Sequence, residues 1–360
     1  MLFWGLTALA APLQVQVLTV SPGPELFSSM GHAAIAVEGG SFVQPTVIDL
    51  GRMAPDATIV GFLRGQVDYQ AEAFPKEAWL AMASFGDRSV WSTSIPLTDP
   101  NALEAKLQAM LSPENRRYRY DWQNQNCATR IRDVIVDTQP GLRSRLQATP
   151  ALLTARQEGA RHLQPWTIPR FAWVFVTDRT LDAVENQYQA MRMPARLRQH
   201  LGLPAVKIIA KGRTVAQPPS SDLMWLIPGL VGAGVMAMAG VRTRGWLVAV
   251  VGVVLGLFGT SAWAVCAGAD LTGIGLNPNL LIAGPHSFLL VSLGSSLTTG
   301  QPKFASLGLG LAVLATLGGL LGLAIGQDSW LAIIGFVPIL WACAFVGLRG
   351  VSNGTRVRPV

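Results

Sequence analysis

The stretch Tyr118-Arg119-Tyr120-Asp121-Trp122-Gln123-Asn124-Gln125-Asn126-Cys127-Ala128-Thr129-Arg130-Ile131-Arg132-Asp133-Val134-Ile135-Val136 begins polar and Asn-rich, then turns into an apolar stripe at Cys127, Ile131, Val134 and Ile135. That spacing predicts a helix opening at Cys127, with Asn126 in the capping position. Cys127 then lies in the first turn, where the helix dipole and unpaired N–H groups favour a thiolate and lower the thiol pKa towards the range of reactive cysteines. The same spacing also fits Cys127 as the first core residue of the stripe. Asn126 offers either a cap or a donor to an oxyanion. Arg130 and Arg132 offer contacts to an anionic substrate, or ion pairs with Asp121, Asp133 or Asp137.

A thiolate nucleophile needs a base, and three histidines lie outside the long apolar runs: His32, His162 and His200. His162, in Arg161-His162-Leu163-Gln164, and His200, ending a basic helical stretch, read as surface residues. His32 sits in Met30-Gly31-His32-Ala33-Ala34-Ile35-Ala36-Val37, followed by Gly39-Gly40 and then Thr46-Val47-Ile48-Asp49-Leu50-Gly51. Two apolar runs around a Gly-Gly turn predict a β-hairpin. Pairing symmetric about the Gly40–Ser41 bond sets His32 directly opposite Asp49, close enough for a carboxylate to orient the imidazole and fix its tautomer. A slip of one residue would put the two on opposite faces.

The chain beyond this region is different in kind. Residues 12–221 hold 22 Lys and Arg against 18 Asp and Glu, an ordinary globular mixture, whereas residues 222–360 hold six bases and three acids. Five apolar runs, at 223–241, 245–265, 279–297, 305–325 and 330–348, approach or reach the roughly 20 residues that span a bilayer. Pro285 and His286 interrupt the third. Arg242, Arg244, Lys303, Arg349, Arg356 and Arg358 all fall on one side of these runs, and Asp222, Asp270 and Asp328 on the other. With the bases cytoplasmic, the preceding domain is outside and the C-terminus inside.

The first ten residues are apolar and end in Ala8-Leu9-Ala10, a signal-peptide-like pattern without a basic start. The net charge of +7 has no basic stripe or aromatic platform behind it, which argues against nucleic acid as a partner. No motif for a cofactor or metal is read. Cys127 is the only cysteine before residue 222, and an unpaired thiol in an exported domain asks for burial or use.

The order His, acid, Cys, with Gly31-His32 on a hairpin and Asn126-Cys127 opening a later helix, resembles circularly permuted papain-like enzymes such as the lecithin retinol acyltransferase group. More closely, residues 18–201 resemble the family named for the Lnb N-terminal periplasmic domain, a bacterial group often joined to membrane helices. The resemblance is carried by Met30-Gly31-His32-Ala33-Ala34, Val47-Ile48-Asp49-Leu50-Gly51, Gly65-Gln66-Val67-Asp68-Tyr69, Asp87-Arg88-Ser89-Val90-Trp91, and above all Asn115-Arg116-Arg117-Tyr118-Arg119-Tyr120-Asp121 running into Asn126-Cys127-Ala128-Thr129-Arg130-Ile131-Arg132-Asp133. Where the family commonly has Asn, this chain has Asp49. It implies an α+β exported domain with a permuted papain-like antiparallel sheet, followed by an all-α transmembrane bundle of about five helices.

The expected divisions are a signal-like segment at 1–11, the Cys/His core at 12–140, a helical extension and linker at 141–221, transmembrane helices at 222–348 and a basic cytoplasmic tail at 349–360. In function the chain reads as a multi-pass protein of the cytoplasmic membrane whose extracytoplasmic Cys127-His32-Asp49 site acts as a thiol hydrolase or acyltransferase. The substrate would be an amide or ester of cell-envelope peptide, peptidoglycan or lipid. The alternative is a non-catalytic module that binds or matures an exported protein partner, with the lipid bilayer holding its anchor.

Overall fold

A computed structural model of the chain describes residues 11–25, 28–84, 87–163, 167–209, 226–239, 241–299 and 304–354. The signal-like residues 1–10, the linker end at 210–221, Asp222, Lys303, Arg356 and Arg358 lie outside the described residues. Two compact units are present: residues 1–155, 184–216 and 270–272 form one, and residues 156–183, 217–269 and 273–360 the other.

The first unit is built on a seven-stranded sheet with strands β1 (Gln14–Val20), β2 (His32–Gly39), β3 (Phe42–Met53), β4 (Asp68–Pro75), β5 (Val90–Ser94), β6 (Arg117–Arg119) and β7 (Ala205–Ile209). Their order across the sheet is β6-β4-β3-β2-β1-β5-β7, and every neighbouring pair is antiparallel. Alternation along the central strands feeds two cores. Ala33, Ile35, Val37, Ile48 and Leu50 face the helices Pro100–Leu111 and Cys127–Thr138 through Leu103, Leu107, Ala128, Ile131 and Ile135. Ala34, Ala36 and Val47 face Trp79 of the helix Lys76–Ala83.

The predicted hairpin forms, with a different register. Gly39 pairs with Phe42 at the tip, where Gly39 and Gly40 take positive φ values of 82° and 60°. Between there and the pair Val37–Thr46 the register shifts, because β3 carries two residues more than β2 over that interval. Asp49 therefore pairs with Ala34, not with His32. A shift of two residues keeps both side chains on one face, so His32 becomes the diagonal neighbour of Asp49.

In the second unit four helices are long and apolar enough to cross a membrane: Thr243–Gly268, Asn279–Thr298, Ala305–Ala324 and Ala332–Arg349. The first expected run lies partly outside the described residues, and its described helix, Leu226–Met238, has 13 residues. The third is segmented as expected at Pro285: a short helix Asn279–Ile282, a 3-10 turn Pro285–Phe288 and a helix Leu289–Thr298. Small residues bring backbones together here, and a Cβ on Gly294 would lie 2.4 Å from the Gly245 carbonyl.

Residues 156–183, which composition groups with the segment before the linker, pack inside this unit. Phe171 and Phe175 of the helix Thr167–Val176 contact Phe258 and Phe336 with ring centroids 4.9–5.8 Å apart. Arg156, 1% exposed, pairs with Asp182 and donates to the carbonyls of Val174, Thr177 and Asp178.

Ile131 is fully buried between the Cys127 helix and the sheet. Ile131→Ala is expected to destabilise the first unit by about 2–5 kcal/mol. Urea unfolding of the detergent-solubilised chain, followed by tryptophan fluorescence, measures this, and a loss below about 0.5 kcal/mol would contradict the packing described.

Candidate functional site

His32 opens β2, and Asp49 lies on β3 beside it, both on the Trp79 face of the sheet. Asp49 is 4% exposed and has both carboxylate oxygens occupied. His32 Nε2 lies 2.9 and 3.0 Å from Oδ1 and Oδ2, the Gly51 N–H donates to Oδ1 at 2.9 Å, and the Trp79 indole N–H donates to Oδ2 at 2.8 Å. A carboxylate with two donors already bound accepts only, so Nε2 carries a proton. The other ring nitrogen, Nδ1, is left to act.

Cys127 stands on that side. It is the first residue of the helix Cys127–Thr138 and is half-buried. The Asn126 side chain accepts from the N–H groups of Ala128 and Thr129 at 2.9 and 3.0 Å, and the Thr129 hydroxyl accepts from the Asn126 N–H at 2.8 Å, a reciprocal capping box. Asn126 Nδ2 donates to the Trp122 carbonyl at 2.7 Å. Asn126 thus acts as the helix cap, its side-chain oxygen taking two N–H groups and one of its two Nδ2 hydrogens going to Trp122. The Cys127 N–H itself makes no hydrogen bond among the described residues.

Gly51 is where the two halves meet. A Cβ there would lie 2.5 Å from His32 Cε1, 3.1 Å from His32 Nδ1 and 3.0 Å from Cys127 Cβ. Only a residue without a side chain allows imidazole and thiol to converge at this strand end. Burial by itself would lower the His32 pKa. The charges of Asp49 and of a Cys127 thiolate, with hydrogen bonds to both, outweigh it and raise that pKa to about 10. Burial likewise pushes Asp49 up, but the His32 charge and the bonds from His32, Trp79 and Gly51 hold it down at about 2.

Three tyrosines line the far side. Tyr69 stacks on Tyr120 at 4.4 Å and pairs with Tyr118 across β4 and β6, and the Tyr118 hydroxyl donates to the Leu50 carbonyl, one residue before Gly51. Burial first raises all three phenols, Tyr69 to about 12; the Cys127 charge comes next for Tyr69 and Tyr118, and for Tyr120 it follows that of Tyr69. They stay protonated over the physiological range.

The two arginines separate. Arg132 is buried, bonds to Asp133 at 2.7 Å and to the Tyr188 carbonyl at 3.0 Å, and lies 3.9 Å over the Tyr188 ring. Arg130 instead lies 4.4 Å over the Tyr118 ring. His162 and His200 are 6% and 9% exposed, so the expectation that they are surface residues is wrong. His162 turns inward because its Nδ1 finds the Glu158 carbonyl one helical turn away, at 2.9 Å. Trp79, the second donor to Asp49, belongs to no motif, whereas Gly51, Tyr69, Arg88, Tyr118 and Tyr120 fall in the quoted stretches without any sign of their placement.

Fold and site together define a membrane-anchored module whose sheet domain assembles a Cys-His-Asp cluster at one end of its central strands. Residues 4–158 match the family model of the Lnb N-terminal periplasmic domain, the family that the motifs resemble. No curated protein and no solved structure matches the chain.

The raised and lowered pKa values fix a pH window. The contribution of Asp49 is present above its ordinary 3.8 and lost as pH falls through about 2; that of His32 is present below its ordinary 6.5 and lost as pH rises through about 10. Melting of wild type and Asp49→Asn across pH 4–11 should therefore show the largest difference below pH 6.5 and a shrinking one near pH 10. A difference that grows above pH 10 would refute the ion pair.

Proposed function

We propose that the first unit is a thiol hydrolase or acyltransferase acting outside the cytoplasmic membrane, with Cys127 as nucleophile, His32 as base and Asp49 as the group that orients the base. The observation that carries this reading is the division of the His32 ring: Nε2 is held by Asp49, and Nδ1 faces the Cys127 side at Gly51. His32 Nδ1 takes the thiol proton. The Cys127 sulfur then attacks the acyl carbon of an amide or ester, and His32 returns the proton to the departing amine or alcohol, leaving a thioester. Water or a second acceptor, deprotonated by His32, displaces the sulfur and frees the thiol. The unpaired Cys127 N–H is the donor best placed in sequence to meet the oxyanion.

The chain order His, acid, Cys supports a permuted papain-like reading of the sheet domain. A periplasmic-domain family match joined to four apolar helices supports cell-envelope peptide, peptidoglycan or lipid as the source of the acyl group. The helices would place Arg242, Arg244 and the C-terminus in the cytoplasm. Reporter fusions after Arg244 and at the C-terminus should read cytoplasmic, and a fusion at Asp270 should read outside; a cytoplasmic signal at Asp270 would reverse the arrangement.

For the chemistry, Cys127 in the native chain should be alkylated by iodoacetamide at about pH 6–7 faster than a model thiol, and His32→Ala should slow it. Cys127→Ser should abolish function with near-normal membrane insertion. Resistance of Cys127 to alkylation until the protein unfolds, with full function in Cys127→Ser, would leave the binding or maturation module in its place.

A further inference from the structure

We propose that the Cys127 site takes acyl substrates bearing an anionic group, a carboxylate or a phosphate, held by the guanidinium groups of Arg88 and Arg130. This rests on the thiol acyl-transfer reading above and adds the substrate's charge to it.

Arg88 is fastened at the His32 end of the sheet. Its Nε donates to the Ser21 carbonyl at 3.0 Å, and Ser21 directly follows Val20, the residue paired with His32 across β1 and β2. Ser21 is itself fixed by three bonds to Ser89 and Arg88: its N–H donates to the Ser89 carbonyl, its hydroxyl accepts from the Ser89 N–H, and its carbonyl takes Arg88. Yet Arg88 Nη2 is buried with no hydrogen-bond partner. A buried guanidinium N–H without an acceptor is unfavourable, and an incoming anion would relieve it.

Arg130 approaches from the helix side. It lies one turn beyond Cys127, over the Tyr118 ring at 4.4 Å, and Tyr118 is anchored to Leu50 beside Gly51. Arg130 Nε is also buried and without a partner, and its single bond, to Gln125 Oε1, is long at 3.5 Å. Stacking holds the guanidinium plane while leaving its edge for a planar acceptor. Neither arginine is ion-paired with a carboxylate within 4 Å among the described residues, unlike Arg117, Arg119, Arg132 and Arg143 of the same unit. The thiolate field reaches Arg88 and the Tyr118 ring that Arg130 covers. Arg88, which the Glu25 charge reaches without a contact inside 4 Å, and Arg130 each present a guanidinium fork of the kind that binds a carboxylate or phosphate in a bidentate manner.

The test uses the full chain in detergent and two electrophiles of nearly equal size, neutral iodoacetamide and anionic iodoacetate, with labelling of Cys127 followed by mass spectrometry. Wild type should show a raised iodoacetate-to-iodoacetamide rate ratio relative to a free thiol. Arg88→Gln and Arg130→Gln should each lower that ratio, by about tenfold for the loss of one charge-assisted pair, the ratio cancelling any change in the reactivity of the thiol itself. The iodoacetamide rate reports a folded domain and a working thiol, so it also corrects for misfolding.

Acetate and inorganic phosphate, compared with chloride at equal ionic strength, should slow iodoacetate labelling, and the stronger of the two names the group. An unchanged ratio in both variants, or no protection by either anion, would overturn the anion subsite while leaving the nucleophile intact. Failure of wild-type Cys127 to react with either reagent would instead overturn the thiol reading beneath it.

Discussion

The arrangement depends on one buried carboxylate. Asp49 is held by a strand, by the Trp79 indole, by the Gly51 amide and by the His32 ring. Withdrawing a carboxylate and an imidazolium from water costs several kcal/mol per ion, and their attraction repays this only when every lone pair finds a donor. Here the four contacts meet that condition. Removing one member of such a pair typically costs about 3–5 kcal/mol, because the other is left charged in a dry site.

What the carboxylate does is local and geometric. Asp49 fixes which imidazole nitrogen is protonated, and the end of β3 presents Gly51, whose missing side chain lets the ring meet Cys127. The thiol is placed by a separate device, the Asn126–Thr129 capping box, which ties off the helix start and leaves the Cys127 amide unbonded. His32 and Cys127 thus come from opposite faces of one sheet, each with its own core. The stiffness of two close-packed cores, not a flexible loop, sets their separation. The acyl transfer proposed for this site would require such preorganisation of thiol and imidazole.

The helix start at Cys127 was legible because caps and helical stripes are local signals, and so was the hairpin, whose Gly-Gly turn lies where expected. The pairing of Asp49 was not. Two extra residues near Val43-Gln44-Pro45 shift the register, and nothing in an alternating pattern distinguishes a shift of two, which preserves every side chain's face. The contact between His32 and Asp49 survives for that same reason. Trp79 and Arg88 stayed invisible because their roles arise from tertiary packing between strands and helices distant in sequence. The inward turn of residues 156–183 escaped composition as well: Arg156 gives the segment a soluble look, whereas its partners bury it.

Trapping a thioester on Cys127 tests the proposed chemistry most directly. Full-length protein incubated with cell-envelope extract, then digested and analysed by mass spectrometry before and after neutral hydroxylamine, should carry an acyl mass on the Cys127 peptide that hydroxylamine removes. The same mass should be absent when His32 is replaced by alanine. A Cys127 peptide that remains an unmodified thiol under all these conditions, in protein whose Cys127 is shown to be accessible, would contradict the account.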